Sequence, residues 1–221
     1  MTIAAEAATE GDFTYSVSGG KATITAFNKE ATGEVVIPDT LGGYPVTAIG
    51  GSAFTDCTSL KKITVPKSVT EIGYGAFKGC DSLEEMTLPF VGASRAERGS
   101  SNIHTGLLGI IFDYENDYKS GMVWQIYGNG SSSGKYYYIP KTLRKVTITD
   151  ATQINVGAFS NCSMLTEVNI NEGIAKIENN AFYNCSGITE ITVPGSVTSI
   201  GSSAFSGCTK LAGVDLPETI T

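Results

Sequence analysis

Apolar and polar residues alternate in short runs along this chain, and the runs recur at a fixed spacing. Ile63-Thr64-Val65 sets two apolar residues on either side of a polar one, the pattern of a half-buried strand. Ile191-Thr192-Val193 and Val214-Asp215-Leu216 repeat it. Pro66, Pro89, Pro194 and Pro217 then end each run, because proline cannot donate to a ladder. Val69 with Ile72, and Val197 with Ile200, predict a second wall facing the first. Gly73 and Gly201 permit a tight bend after it. Ala76-Phe77 predicts a helical turn whose ring plugs the interior.

The cysteines mark the period. They stand at 57, 80, 162, 185 and 208, and each closes the same pentapeptide: AFTDC, AFKGC, AFSNC, AFYNC and AFSGC. An aliphatic follows three residues later in every copy: Leu60, Leu83, Leu165, Ile188 and Leu211. The regular spacing is 23 residues, and a single unit of that size cannot bury its own apolar face, so units must stack. Seven strand positions fall in register: Val35–Ile37, Ile63–Val65, Met86–Leu88, Val146–Ile148, Val168–Ile170, Ile191–Val193 and Val214–Leu216. At about 4.8 Å per strand they predict a parallel sheet roughly 30 Å long.

The unit LxxIxVPxxVxxIGxxAFxxC resembles the BspA-like class of leucine-rich repeats. The general leucine-rich consensus carries Asn or Cys nine positions in, where this chain has Ser68 or Ser196, so the resemblance is to that subclass. It implies a leucine-rich-repeat solenoid with a parallel β-sheet on one face and short strands and helical turns on the other. It also implies a bacterial protein, secreted or at the cell surface, that binds host proteins or other cells.

The chain is expected to be one domain over 1–221. Residues 13–34 form an N-terminal cap, since FTYSVSGGKATITAF reads as a β-hairpin about Gly19-Gly20. Repeats follow over 35–89 and 143–221. The first coil is five residues longer than the others through Leu41-Gly42-Gly43-Tyr44-Pro45. The N-terminus lacks the basic region and long apolar core of an intact signal peptide. The last unit stops after Leu216-Pro217, which leads us to expect a fragment of a longer protein, or an open coil covered by a partner chain or by self-association.

Ile148 lies 60 residues after Leu88, where one repeat would give 23. The inserted region, 90–142, holds Phe90, Phe112, Tyr114, Tyr118, Trp124, Tyr127, Tyr136, Tyr137 and Tyr138, with the only Trp and the only His, His104. Gly106–Phe112 reads as a buried segment with a short helix. Val123–Tyr127 and Tyr136–Pro140 read as a hairpin. Some BspA-like proteins carry a similar insertion opening on PFVG, here Phe90-Val91-Gly92.

A net charge of -7, with no basic run, gives no electrostatic reason to bind a phosphate backbone or an anionic membrane, and no apolar stretch is long enough to span a bilayer. Cysteines 23 residues apart form a line and not a metal-binding tetrahedron; buried free thiols filling equivalent slots is the expectation. Asp113, Glu115 and Asp117 lack the EF-hand pattern and read as a solvated acidic loop. His104 reads as a loop or packing residue. No catalytic residue, metal or cofactor is expected.

Two surfaces remain as candidate ligand sites. Trp124, Tyr127, Tyr136, Tyr137 and Tyr138 either form a small core holding the hairpin to the solenoid, or stack on sugars or pack on a protein partner. Alternation buries Tyr136 and Tyr138 and exposes Tyr137, or the reverse. The second surface is the outward ladder Lys62/Thr64, Glu85/Thr87, Lys145/Thr147, Glu167/Asn169, Glu190/Thr192 and Gly213/Asp215. The function expected is a non-enzymatic protein-interaction or adhesion module. The alternatives are a carbohydrate-binding module using coplanar insertion aromatics, and a hydrolase within the insertion.

Overall fold

The computed structural model describes residues 7–95, 103–115, 121–127 and 133–220. Six parallel strands stack in chain order: Gly33–Val36, Leu60–Thr64, Glu85–Leu88, Lys145–Ile148, Glu167–Asn169 and Glu190–Thr192. Their inward row, Val35, Ile63, Met86, Val146, Val168 and Ile191, is in register and buried. The sheet runs through the interruption unbroken, because Met86 pairs directly with Val146.

The second wall is split. Tyr44–Ile49 pairs with Glu71–Ile72 on one side, and Gln153–Ile154, Lys176–Ile177 and Ser199–Ile200 form a separate ladder on the other. The insertion fills the gap between them. Ala93 and Arg95 take the place of a wall strand, with Ile72 N–H donating to Ala93 O and Arg95 N–H to Thr70 O. Arg95 also donates from Nη2 to Lys67 O at 2.6 Å and pairs with Asp150, tying coils across the interruption.

The seventh expected strand, Val214–Leu216, is not formed. Alternation supplies the right side chains, but among the described residues no coil lies beyond them to bury the apolar ones, and Leu216 is 56% exposed. Thr219 instead anchors this segment, donating from its hydroxyl to Val197 O at 2.6 Å. Asp215 therefore lies off the sheet. Six strands give a sheet of about 24 Å.

The turn at Ala76-Phe77 is not helical. Ala76 N–H donates to Gly73 O and Cys80 N–H to Phe77 O, each spanning three residues. The residues before Ala and before Cys sit at positive φ in the repeats: Ser52, Gly75, Gly157, Asn180 and Ser203 in the first position, Asp56, Gly79, Asn161, Asn184 and Gly207 in the second. Two left-handed residues so close together stop helix propagation, and Gly, Asn, Asp and Ser tolerate them best.

These turns aim the rings inward. Phe27, Phe54 and Phe77 stack at 4.8 and 5.1 Å, and Phe159, Phe182 and Phe205 at 5.1 and 5.3 Å with nearly parallel planes. Beneath them the Cys80, Cys185 and Cys208 thiols donate to Phe54, Phe159 and Phe182 carbonyls of the preceding coil at 3.1, 3.0 and 3.2 Å. All five cysteines are free and buried. Burial pushes the Cys162, Cys185 and Cys208 thiols up, so they stay protonated and unreactive.

The N-terminal cap is a three-stranded meander and not a hairpin alone. Ala7–Glu10 adds an antiparallel strand to Phe13–Ser18, which pairs with Lys21–Phe27. The last of these continues in parallel into Tyr44–Ile49, so the cap extends the second wall.

Candidate functional site

The insertion is seated by its own backbone and one buried side chain. Two single-turn 3-10 helices, Ile103–Gly106 and Leu108–Ile111, run along the coil. Phe77 N–H donates to Ile111 O, and the Phe112 ring extends the aromatic column from Phe77 at 6.4 Å. After them a small antiparallel sheet places Gly134–Tyr137 between Tyr114–Glu115 and Val123–Ile126. The second hairpin strand thus lies two residues earlier than alternation alone suggests, and a third strand joins it.

Gln125 is the residue that composition concealed. It is fully buried. Its Oε1 accepts from Gly109 N–H at 2.6 Å, and its Nε2 donates to Ala158 O at 3.1 Å and to Cys162 Sγ at 3.5 Å. On either side, Ile126 N–H donates to Ser160 Oγ and Asn161 Nδ2 donates to Trp124 O. The strand Val123–Ile126 is thereby laid against the turn of the next coil. Gly157 makes room for it: its φ is +63°, and a Cβ there would overlap the Ile126 carbonyl oxygen.

Asp113 ties the insertion to the coil before it. Its carboxylate accepts from Tyr74 OH at 2.5 Å and from Tyr114 N–H at 2.9 Å, and pairs with Lys78 Nζ at 2.8 Å. The expected solvated acidic loop is corrected here, since Asp113 is held by three donors and largely covered. Asp117 and the side chain of Glu115 lie outside the described residues, as does the side chain of His104. Burial alone would raise the Asp113 pKa, but Lys78, Tyr74 and the Tyr114 amide outweigh it and hold the carboxyl below its usual range. A depressed folded-state pKa stabilises above the unfolded value, about 4, and that contribution is lost as pH falls through the folded value. Asp113→Asn is therefore expected to lower the melting temperature at pH 7, with the difference from the parent shrinking below about pH 4. Calorimetry across that range checks it; a constant difference would contradict it.

The five insertion aromatics separate. Tyr137 is fully buried beside Gly109, whose Cβ would collide with its ring, so Tyr137 is withdrawn as a ligand contact. Its hydroxyl has no hydrogen-bond partner among the described residues. The Tyr114 ring meets it edge-on at 6.3 Å, and Lys135 Nζ sits 4.1 Å over Tyr114. Tyr127 is half-buried against the core. Tyr138 is 36% exposed and faces an adjoining hollow with Asp81 and Lys141.

Trp124 and Tyr136 lie directly opposite each other on neighbouring strands. Their rings stand 4.7 Å apart at 59°, so they form a notch and not a coplanar platform. The indole lies over Gly134, where a Cβ would strike it. The notch opens into a groove of about 810 Å³ completed by Met122, Lys141, Asn161, Ser163 and Met164. None of these was marked by the sequence: the position of Met164 is Ser59, Ser82, Gly187 and Lys210 in the other coils, so the repeat does not constrain it.

On the main sheet the outward residues form two rows. Glu34, Lys62, Glu85, Lys145, Glu167 and Glu190 are in register, with ion pairs from Lys62 to Glu34 at 3.2 Å, Lys62 to Glu85 at 3.8 Å and Lys145 to Glu167 at 2.7 Å. The second row is Val36, Thr64, Thr87, Thr147, Asn169 and Thr192. The structure thus brings together every outward sheet residue the sequence singled out except Gly213 and Asp215.

The profile of the BspA type leucine rich repeat region matches residues 23–97 and 132–221 in six copies. The chain belongs to the BspA-type leucine-rich-repeat family. Solved structures similar to it include a leucine rich cell surface protein from Faecalibacterium prausnitzii A2-165, at 25% identity and a TM-score of 0.47 over 97% of this chain and 55% of that one. A leucine-rich repeat protein from Eubacterium ventriosum is similar at 18% identity and a TM-score of 0.53, over 97% of this chain and 52% of that one; this likeness is one of fold. The chain spans about half the length of both. No curated protein matches it significantly in sequence. The matched region leaves a gap over 98–131, so the BspA-type repeat covers the stacked coils and not the helical turns and first hairpin strand of the insertion. Among the described residues no helix is long and apolar enough to cross a membrane.

Proposed function

We propose that this chain is a non-enzymatic interaction module of a secreted or surface-exposed bacterial protein, recognising protein partners in adhesion. The observation that carries this reading is the pairing of Met86 with Val146, which keeps the outward residues on one continuous face while the insertion grows out beside it. Repeat arrays bind through such extended surfaces, with affinity concentrated in a few anchors. The Glu–Lys pairs satisfy one row internally, leaving the threonine row for contact. The extracellular setting is the one the family resemblance implies.

Binding of the whole chain to immobilised extracellular-matrix glycoproteins, native and enzymatically deglycosylated, tests this. Saturable binding that survives deglycosylation and weakens about tenfold or more on Thr87→Arg, at unchanged melting temperature, is expected. Binding abolished by deglycosylation and by Trp124→Ala would replace it with the carbohydrate reading, against which the 59° ring tilt already weighs. No saturable binding in either form would overturn it.

A further inference from the structure

The groove beside Trp124 differs from the rest of the surface in charge. The chain carries -7 overall, yet among the described residues no carboxylate lines this groove. Lys141 is exposed at its rim, and among the described residues no carboxylate pairs with it. Asp81 shares the adjoining hollow with Lys141 but forms no ion pair with it. The other lysines along this flank are engaged: Lys145 by Glu167, Lys78 by Asp113, Lys135 over the Tyr114 ring. Among the described residues Lys141 is thus a cation without an acidic partner, standing beside an apolar notch.

The notch selects the shape of what enters. Rings in contact at 4.7 Å and tilted by 59° cannot both lie on the flat face of one sugar, but the open side of their angle can cradle a single branched side chain. Met122 and Met164 add thioethers, which adapt to side chains of varied outline. Asn161 is committed, donating to Trp124 O and accepting from Asn184 Nδ2, so it stiffens the wall. Ser163 remains exposed at the floor.

Resting on the interaction-module reading above, we propose that this groove binds an acidic–apolar peptide segment of a protein partner, with an aliphatic side chain in the open angle beside Trp124 and Tyr136 and a neighbouring carboxylate on Lys141. The carboxylate supplies charge complementarity in a site that no described acid of this chain fills. The aliphatic group displaces water from a notch that is already formed and needs no rearrangement.

Trp124 is the only tryptophan, so its emission reports on this site alone. The full chain is titrated with an acetylated, amidated hexapeptide alternating aspartate and leucine, with its lysine–leucine counterpart, and with oligogalacturonate. A saturable emission change is expected with the first peptide only, weakening as salt is raised. Lys141→Glu is expected to weaken it at least about tenfold and to favour the lysine–leucine peptide, at unchanged melting temperature. No saturable change with the aspartate–leucine peptide, an unchanged affinity in Lys141→Glu, or a response to oligogalacturonate alone would each overturn the proposal. Matrix binding that stays sensitive to Thr87→Arg while the peptide is silent leaves the module reading standing and removes only this inference. Peptide binding without any matrix binding removes the matrix-adhesion part of that reading and leaves this inference standing.

Discussion

Replacing Phe182 with alanine is expected to destabilise the array by about 3–5 kcal/mol, the range for removing a fully buried ring from a core. Its ring lies 5.1 Å from Phe159 and 5.3 Å from Phe205, with planes within 6° and 2° of parallel, so both neighbours lose a face. The backbone on either side cannot close the gap. Main-sheet pairing fixes one wall, and Phe182 N–H donating to Ala204 O fixes the turn. In a chain of this size the melting temperature should fall by roughly 6–20 °C. Thr87→Ala, on the outward face, serves as the control and should change stability by no more than about 0.5 kcal/mol. Calorimetry of the two variants decides: a fall of under about 2 °C for Phe182→Ala would show that the coils tolerate a void.

Gln125→Leu is the second substitution with a large expected effect. Leucine fits the volume, but Gly109 N–H then faces a buried space without an acceptor, at a cost of about 1–3 kcal/mol. Ala158 O keeps its bond from Leu108 N–H, so that side is spared. The loss therefore falls on the insertion and not on the coil. Trp124 emission should shift to the red at a lower temperature than the global transition. Gln125→Glu retains the acceptor but buries a charge, and should be no better than the leucine variant. Identical emission and melting in Gln125→Leu and the parent would remove Gln125 from its seating role.

The period made the main sheet legible, because Ile63, Val146, Val168 and Ile191 recur against a fixed distance to Ala-Phe and Cys. Tyr136 and Tyr138 against Tyr137 was a different case. Alternation fixes which residues share a face but not which face is buried; Gly109, far away in sequence, decides it by leaving space for the Tyr137 ring. Gln125 was illegible because a polar residue within a strand reads as solvent-facing, and only the neighbouring coil's Ala158 and Cys162 reveal the polar slot it fills. Val214–Leu216 reads as a strand by the same rule that succeeds elsewhere, and is not formed where no further coil among the described residues stacks on it. The groove was half legible. Trp124 and Tyr136 announced themselves by composition, whereas Met122, Lys141 and Met164 meet only when the insertion folds against the turn that Cys162 closes.

The split second wall also bears on how the molecule melts. In a stacked array each coil is stabilised largely by its neighbours, so unfolding spreads through an interface until it reaches a weak one. Here one interface differs in kind: the main sheet runs through it, but wall strands give way to Asp113, Arg95 and Gln125 contacts. The Gln125 contacts also seat the Val123–Ile126 strand, which carries Trp124 into the groove. Any ligand that tightens the groove therefore couples the insertion to the coil after it, and occupancy should bring the red shift of Trp124 emission and the global transition to one temperature.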